Sequence, residues 1–365
     1  MKETFAFDEL TWPDVEALPR ATPLIIPLGE AAIPERLAAL PNLPGQTGVL
    51  PAIPYGWPGS GLVVPPALLE AMLSNLLAGL HEDGFGQAQV LGLQSANGTP
   101  LPADGEQGKV VLIPIGHTEQ HAYHLPLSTD TLIIEAIARG AAAAVPDQAI
   151  ALPVMPYGVS MHRRAFPGTL NCGGRAFEDF WLGLIDTLVE RGFDRFYLLS
   201  GHGGNCSFLT NVIKYAGERH PRIFCATTWL YLSGPSGVAA LEERRRSAIG
   251  GMGHACELET SLILHLRPEL VDMSKAVDET DFISTPAYYM DWVEGGALVA
   301  NPPWEDDTAS GAYGAGSLAS AENGRAWLEA AIAEKVEHIA EIHQQHQRRE
   351  ARRQAGYGRW AHSSR

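Results

Sequence analysis

The chain has 365 residues with 42 acidic against 26 basic side chains, a net charge of −16, which excludes the basic footprint that nucleic acid or an anionic membrane surface demands. Its 45% hydrophobic content supplies apolar surface for about two domains' worth of core, and no uninterrupted apolar run reaches the ~18 residues of a membrane span. The acidic start, Met1 to Leu10, reads as no secretory leader, and four cysteines without CxxC spacing read as reduced thiols, so a cytoplasmic location is expected.

In chain order, the first stretch looks like half of the larger unit after it. Ile25-Ile-Pro-Leu-Gly29 resembles Ile113-Pro-Ile-Gly116 and its preceding apolar residues, and Leu50-Pro-Ala-Ile-Pro-Tyr-Gly56 nearly repeats Leu152-Pro-Val-Met-Pro-Tyr-Gly158. Each copy then runs through an amphipathic helical stretch to Gly84-Phe85 or Gly192-Phe193 and into an apolar strand, Val90–Leu93 or Phe196–Leu199. From that helix on, a constant offset of 108 (178 − 70) pairs Glu70 with Glu178, Leu76 with Leu184 and Asn97 with Asn205. Residues 1–105 therefore read as a degenerate half-repeat with a structural role, joined by the turn-rich Ala96–Gly108 linker.

The second unit, 106–347, continues as short apolar strands alternating with helices. Val110–Ile115, Ile150–Val154, Phe196–Leu199 and Ile223–Thr227 read as strands; Thr131–Ala144, Phe177–Glu190 and Asn205–Glu218 read as helices, with Glu322–Gln347 a long closing helix. This pattern predicts an α/β fold, a three-layer αβα arrangement around a mostly parallel sheet. Arg348, Arg349, Arg352 and Arg353 open a basic C-terminal tail, 348–365, expected to be solvated or to contact another subunit.

In such folds ligands gather beyond the carboxyl ends of the strands, and three of those places are loaded with donors. After Val110–Ile115 come Glu119 and His121, two apart and so on one side of an extended segment, then Asp130 before a helix. After Phe196–Leu199 comes Gly201-His202-Gly-Gly-Asn205. Further on stand His254, Glu257 and Glu259. Singly, Asp130 reads as a helix cap, Glu-x-His as two ordinary solvent-facing side chains and the glycine turn as an anion nest. Together they form a mixed N/O donor set suited to Zn²⁺, Mn²⁺ or Fe²⁺, and to a pair of ions that activates a water. His117 and His124 fit supporting or structural roles.

The segments Gly116–Asp130, Pro156-Tyr-Gly with His162 and Phe166-Pro-Gly-Thr169, Gly201–Asn205 and His254 to Ser261 resemble the creatininase (creatinine amidohydrolase) family over about residues 107–345. The resemblance implies Glu119, His121, Asp130 and His202 as ligands of two divalent ions, with Asp130 bridging, and His254 as proton shuttle beside Glu119. Creatininase takes a further glutamate from the turn of its ligand histidine. That position is Gly204 here, so Glu257 is expected to supply the fifth ligand. Substrate is expected to meet His162, Arg163, Trp229, Gly203 and Tyr123; Arg163 and Arg164 read equally as ordinary surface arginines. Gly250 and Gly203 stand where creatininase has pocket aromatics, and Ala122 where it has glycine, which counts against creatinine itself. The implied activity is hydrolysis of a C–N bond in a small cyclic amide, lactam or formamide by a homo-oligomeric enzyme. A peptidase trimming a small modified peptide and a non-catalytic metal-binding scaffold are the alternatives.

Overall fold

The computed structural model describes residues 4–29, 33, 36–37, 46–92, 101–161, 165–292 and 295–357. Its strands are β1 (Thr4–Ala6), β2 (Leu24–Pro27), β3 (Thr47–Val49), β4 (Ala88–Leu91), β5 (Val110–Ile115), β6 (Ala149–Ala151), β7 (Arg195–Ser200), β8 (Phe224–Thr227), β9 (Met252–His254), β10 (Asp278–Glu279) and β11 (Tyr313–Ala315). They form two parallel four-stranded sheets, β1-β3-β2-β4 and β6-β5-β7-β8, and a small antiparallel sheet, β10-β11-β9.

The two parallel sheets repeat one another bond for bond. The order β3-β2-β4 matches β6-β5-β7. Leu50 N–H donates to Ile25 O as Leu152 does to Leu112 O; Ile53 to Pro27 O as Met155 to Pro114 O; Gly29 to Ile53 O as Gly116 to Met155 O. Ile26 lies opposite Val90 as Ile113 lies opposite Leu198. The helices Pro66–Glu82 and Gly174–Glu190 both end in a glycine of positive φ, Gly84 and Gly192, the left-handed conformation that a β-carbon disfavours.

Alternation along the central strands sets the layers. Val111, Ile113, Phe196 and Leu198 face one side and join a core that runs unbroken through Ile26, Ile53, Leu76 and Tyr55 of the first sheet's unit. There the 66–82 and 174–190 helices pack on each other, with Asn75 Nδ2 donating to Cys172 O at 2.7 Å. Val110, Leu112, Tyr197 and Leu199 face the opposite side, against the helices Thr129–Ala144, Glu257–Leu266 and Ala321–Gln354. The result is the expected mostly parallel α/β architecture.

The last helix continues to Gln354, so the basic cluster does not open a separate tail at residue 348. Arg349 lies over the Phe224 ring at 5.2 Å and Arg353 donates to Pro221 O at 2.6 Å, holding that end on the body of the protein. Among the described residues no helix is long and apolar enough to cross a membrane. The repeat positions Ala32, Pro34, Leu43 and Gln94, aligned with the donors of the second unit, lie outside the described residues.

Candidate metal centre

Three chain reversals at the carboxyl ends of β5, β7 and β9 bring the donors together. β5 turns at Gly116, where an added Cβ would lie 2.5 Å from Thr131 Cα, so the chain passes against the Thr129–Ala144 helix only as glycine. The loop beyond it is buried apart from the half-buried Tyr123 and is pinned by Glu119 N–H to Leu127 O at 3.1 Å. Ala122 sits at φ 54°, a left-handed conformation that explains why glycine is expected there and marks stored strain. β7 turns through Gly201 and His202 into the Gly203–Arg219 helix, and β9 ends on His254.

Three imidazoles are locked in the same sense. His121 Nδ1 lies 3.1 Å from Glu119 O, His202 Nε2 2.9 Å from Val159 O, and His254 Nε2 2.7 Å from Gln120 O. A carbonyl only accepts, so each of those nitrogens carries a proton, and in the neutral ring the opposite nitrogen is the one that offers a lone pair, as metal-ligating histidines are held. Those lone pairs face carboxylates. His121 Nε2 is 3.1 Å from Asp130 Oδ1 and 3.9 Å from Glu259 Oε1; His202 Nδ1 is 2.9 Å from Glu119 Oε1 and 3.4 Å from Asp130 Oδ2; His254 Nδ1 is 3.8 Å from Glu119 Oε1.

Among the described residues the candidate donor atoms form three overlapping trios, each with its atoms within 4.8 Å of one another: His117, Glu119 and His202; Glu119, His121 and His254; His121, Asp130 and Glu259. Burial alone would push the His202 imidazole toward neutrality. The charges of Glu119 and Asp130 outweigh it and raise the group to about 9, and His121 is likewise raised against its burial by Asp130. Carboxylates that attract a proton this strongly attract a cation by the same field. His124, by contrast, is lowered to about 4 by burial and by His121; its Nε2 meets Thr260 Oγ1 at 2.9 Å, a structural contact.

Glu257 is not among these donors. Its two carboxylate oxygens accept Arg246 N–H at 3.0 and 3.1 Å and Ser247 N–H at 2.8 Å, tying the preceding loop to the start of the Glu257–Leu266 helix. Positions two apart on a helix point about 200° from each other, so only one of Glu257 and Glu259 can face the cluster. The one that does is Glu259, whose Oε2 accepts Ala255 N–H at 2.6 Å while Oε1 turns to His121. Gly204 cannot carry a glutamate here: a Cβ would lie 2.3 Å from both His202 Nε2 and Val159 O, on top of the bond that fixes His202.

Above the cluster opens a cavity of about 580 Å³. Glu119, Asp130, His202, His254 and Glu259 form its floor, and Gly203, Trp229, Phe282, Tyr288, Leu298 and Trp304 are among its walls. Gly203 and Trp229 thus lie where substrate is expected. Tyr123 does not: its ring leans on Trp12 at 5.5 Å and its hydroxyl donates to Ala309 O at 3.3 Å, beside a separate surface depression. His162, Arg163 and Arg164 lie outside the described residues. The sequence points to Glu257 rather than Glu259 as the fifth ligand, and it singles out neither Gln120 as orienting His254 nor the aromatic wall from 282 to 313. The only signal for that wall was a density of aromatics in a stretch without periodicity.

A parallel α/β unit with buried, mixed histidine and carboxylate clusters at the carboxyl ends of its strands is an architecture suited to metal-assisted hydrolysis. The creatininase (creatinine amidohydrolase) family model matches residues 96–339, and the chain belongs to that family. The chain is 28% identical over 185 residues to a creatinine amidohydrolase of Pseudomonas putida, covering 46% of this chain and 68% of that protein. It is 32% identical over 169 residues to a mycofactocin precursor peptide peptidase of Mycolicibacterium smegmatis, covering 44% and 59%. A solved creatininase described as its manganese form superposes with a TM-score of 0.53 at 25% identity, covering 64% of this chain and 91% of the other.

Proposed function

We propose that this protein is a dinuclear metal-dependent amidohydrolase that cleaves a C–N bond with Glu119, His121, Asp130, His202 and Glu259 as ligands. The observation that carries the reading is the common lock of His121 and His202: each gives one ring N–H to a main-chain carbonyl and turns its lone pair onto Asp130 or Glu119. Bound divalent ions of the zinc, manganese or iron kind would polarise the substrate carbonyl and make a water nucleophilic near neutral pH.

The chain's own part in the reaction comes from His254. Its Nε2–H is held by the Gln120 carbonyl, so Nδ1, facing Glu119, is the atom that takes a proton and returns it to the leaving nitrogen. The Trp304 ring, 5.1 Å away and edge-on, fixes the imidazole plane. Trp229, Phe282 and Trp304 line the space above and exclude water around the scissile bond.

A peptide-like substrate is the second reading, favoured by one observation. Leu298 and Val299 on the cavity rim are 60% and 97% exposed, apolar surface that a small cyclic amide would not reach. Both readings have the protein working as a homo-oligomer, which sedimentation at the monomer mass over a wide concentration range would overturn.

The test is elemental analysis with turnover of cyclic amides, formamides and short peptides. About two divalent ions per chain are expected, with activity lost to chelators. His254→Ala should keep the ions and lower kcat by roughly 10²–10⁴. Loss of an ion from that variant would make His254 a ligand, and chelator-insensitive activity would remove the metal from the reaction.

A further inference from the structure

We propose that His117 is a positioning residue for Glu119 and, although it lies among the metal donors, not itself a ligand: its ring proton is fixed on Nε2 and turned toward the Glu119 carboxylate. The proposal rests on the reading of Glu119 as a ligand.

Proximity alone would make His117 a ligand. Its donor atom falls within 4.8 Å of those of Glu119 and His202, and its ring lies against the His202 ring, centroids 4.4 Å apart. The protonation pattern says otherwise. Gly158 N–H donates to His117 Nδ1 at 2.9 Å. A backbone amide can only donate, so Nδ1 is unprotonated and its lone pair is engaged. In the neutral ring the proton then resides on Nε2, which lies 3.8 Å from Glu119 Oε2. A nitrogen that keeps its proton has no lone pair for a cation.

This is the reverse of the arrangement at His121, His202 and His254, where the outward nitrogen meets a carbonyl. Two consecutive residues impose the difference. Both rings carry their proton on Nε2, but the amide of Gly158 leaves His117 with that protonated end toward the cluster, and the carbonyl of Val159 turns the protonated end of His202 away from it. Asn205 holds that pair of residues in register: its Oδ1 accepts Val159 N–H at 2.9 Å, and its Nδ2 donates to Gly116 O at 3.3 Å. Gly158 is itself required, because a Cβ there would lie 2.4 Å from Asn205 Oδ1. One short segment thus separates a ring that turns its N–H toward the Glu119 carboxylate from a ring that turns its lone-pair nitrogen to the same carboxylate, the first being placed as outer partners of metal-binding carboxylates are.

The experiment is ¹⁵N–¹H correlation spectroscopy of the histidine side chains in the full chain, metal-free and loaded with Zn²⁺, the His117 signals being identified by their loss in His117→Gln. The expected result is that His117 keeps a protonated Nε2 and an unprotonated Nδ1 in both states, while His121 and His202 shift on loading. Loss of the His117 Nε2 proton on loading would overturn the proposal. In parallel, His117→Ala should still take up the wild-type number of ions with affinity lowered about 10- to 100-fold, and His117→Gln should recover part of that loss; disappearance of one ion from a folded variant would make His117 a ligand. A wild-type protein that takes up no Zn²⁺ would instead overturn the metal reading on which the proposal stands.

Discussion

Glu257 and Glu259 are both buried, both acidic and only two residues apart, yet their carboxylates meet opposite chemistry. Glu257 is consumed by the main-chain amides of Arg246 and Ser247, whereas Glu259 faces His121. Glu259→Ala should therefore lower the ion content by one per chain, and Glu257→Ala should leave it unchanged while lowering stability. Losing the part-buried bonds to the two amides removes a net contribution of about 0.5–1.5 kcal/mol each, so the melting temperature should fall with metal retained. Elemental analysis and calorimetry on the two variants decide between them, and loss of metal from Glu257→Ala alone would restore it as the ligand. The choice was not legible in the sequence because it depends on where the helix begins, and either start places one of the two acids inward. Glu119, His121, Asp130 and His202 were legible as a group, since each comes after the end of an apolar strand. The tautomers of His117, His202 and His254 were not, because they are set by main-chain groups distant in sequence, such as Val159 acting on His202.

The segment Phe7–Glu9 and its continuation to Leu10 brace the loop that carries the donors: Leu127 N–H bonds to Leu10 O and Ser128 N–H to Asp8 O, both at 2.9 Å. Burial there raises the Asp8 carboxyl from 3.8 to about 6. The folded state thus binds a proton at Asp8 that the unfolded chain has already released. The resulting contribution is present below 3.8 and is lost as pH rises through about 6. Asp8→Asn should accordingly be more stable than wild type at pH 7.5, with the difference shrinking as pH falls toward 4.5. Denaturant midpoints at the two pH values test this, and a gap that widens on acidification would reverse the assignment. Periodicity located the elements themselves: the Phe177–Glu190 and Asn205–Glu218 expectations fall within the observed Gly174–Glu190 and Gly203–Arg219 helices. The aromatic wall from 282 to 313 escaped because its residues are ordered by contacts such as Trp304 with Tyr313, rings 4.2 Å apart, and not by a repeat along the chain.

At the scale of the molecule, the matching of Leu50 with Leu152 and Ile26 with Ile113, visible as sequence similarity, recurs as equivalent hydrogen bonds and registers in two sheets. Equivalence does not make them independent. Leu76 and Leu184, counterparts on the 66–82 and 174–190 helices, are both fully buried in one core that includes strand residues of both sheets. A shared core implies that neither unit keeps its packing when the other opens, because each would then expose the apolar face it now buries. We therefore expect the full chain to unfold in a single calorimetric transition. Leu76→Ala and Leu184→Ala should each destabilise that same transition by about 2–5 kcal/mol, the cost of a buried leucine truncated in a packed core. On this view the N-terminal unit serves the centre from a distance: it adds none of the clustered donors among the described residues, yet the fold that positions Glu119 and His202 depends on its leucines. Two resolved transitions, with Leu76→Ala moving only the first, would show instead that the N-terminal unit is a separable domain and that its packing is not what holds the centre in place.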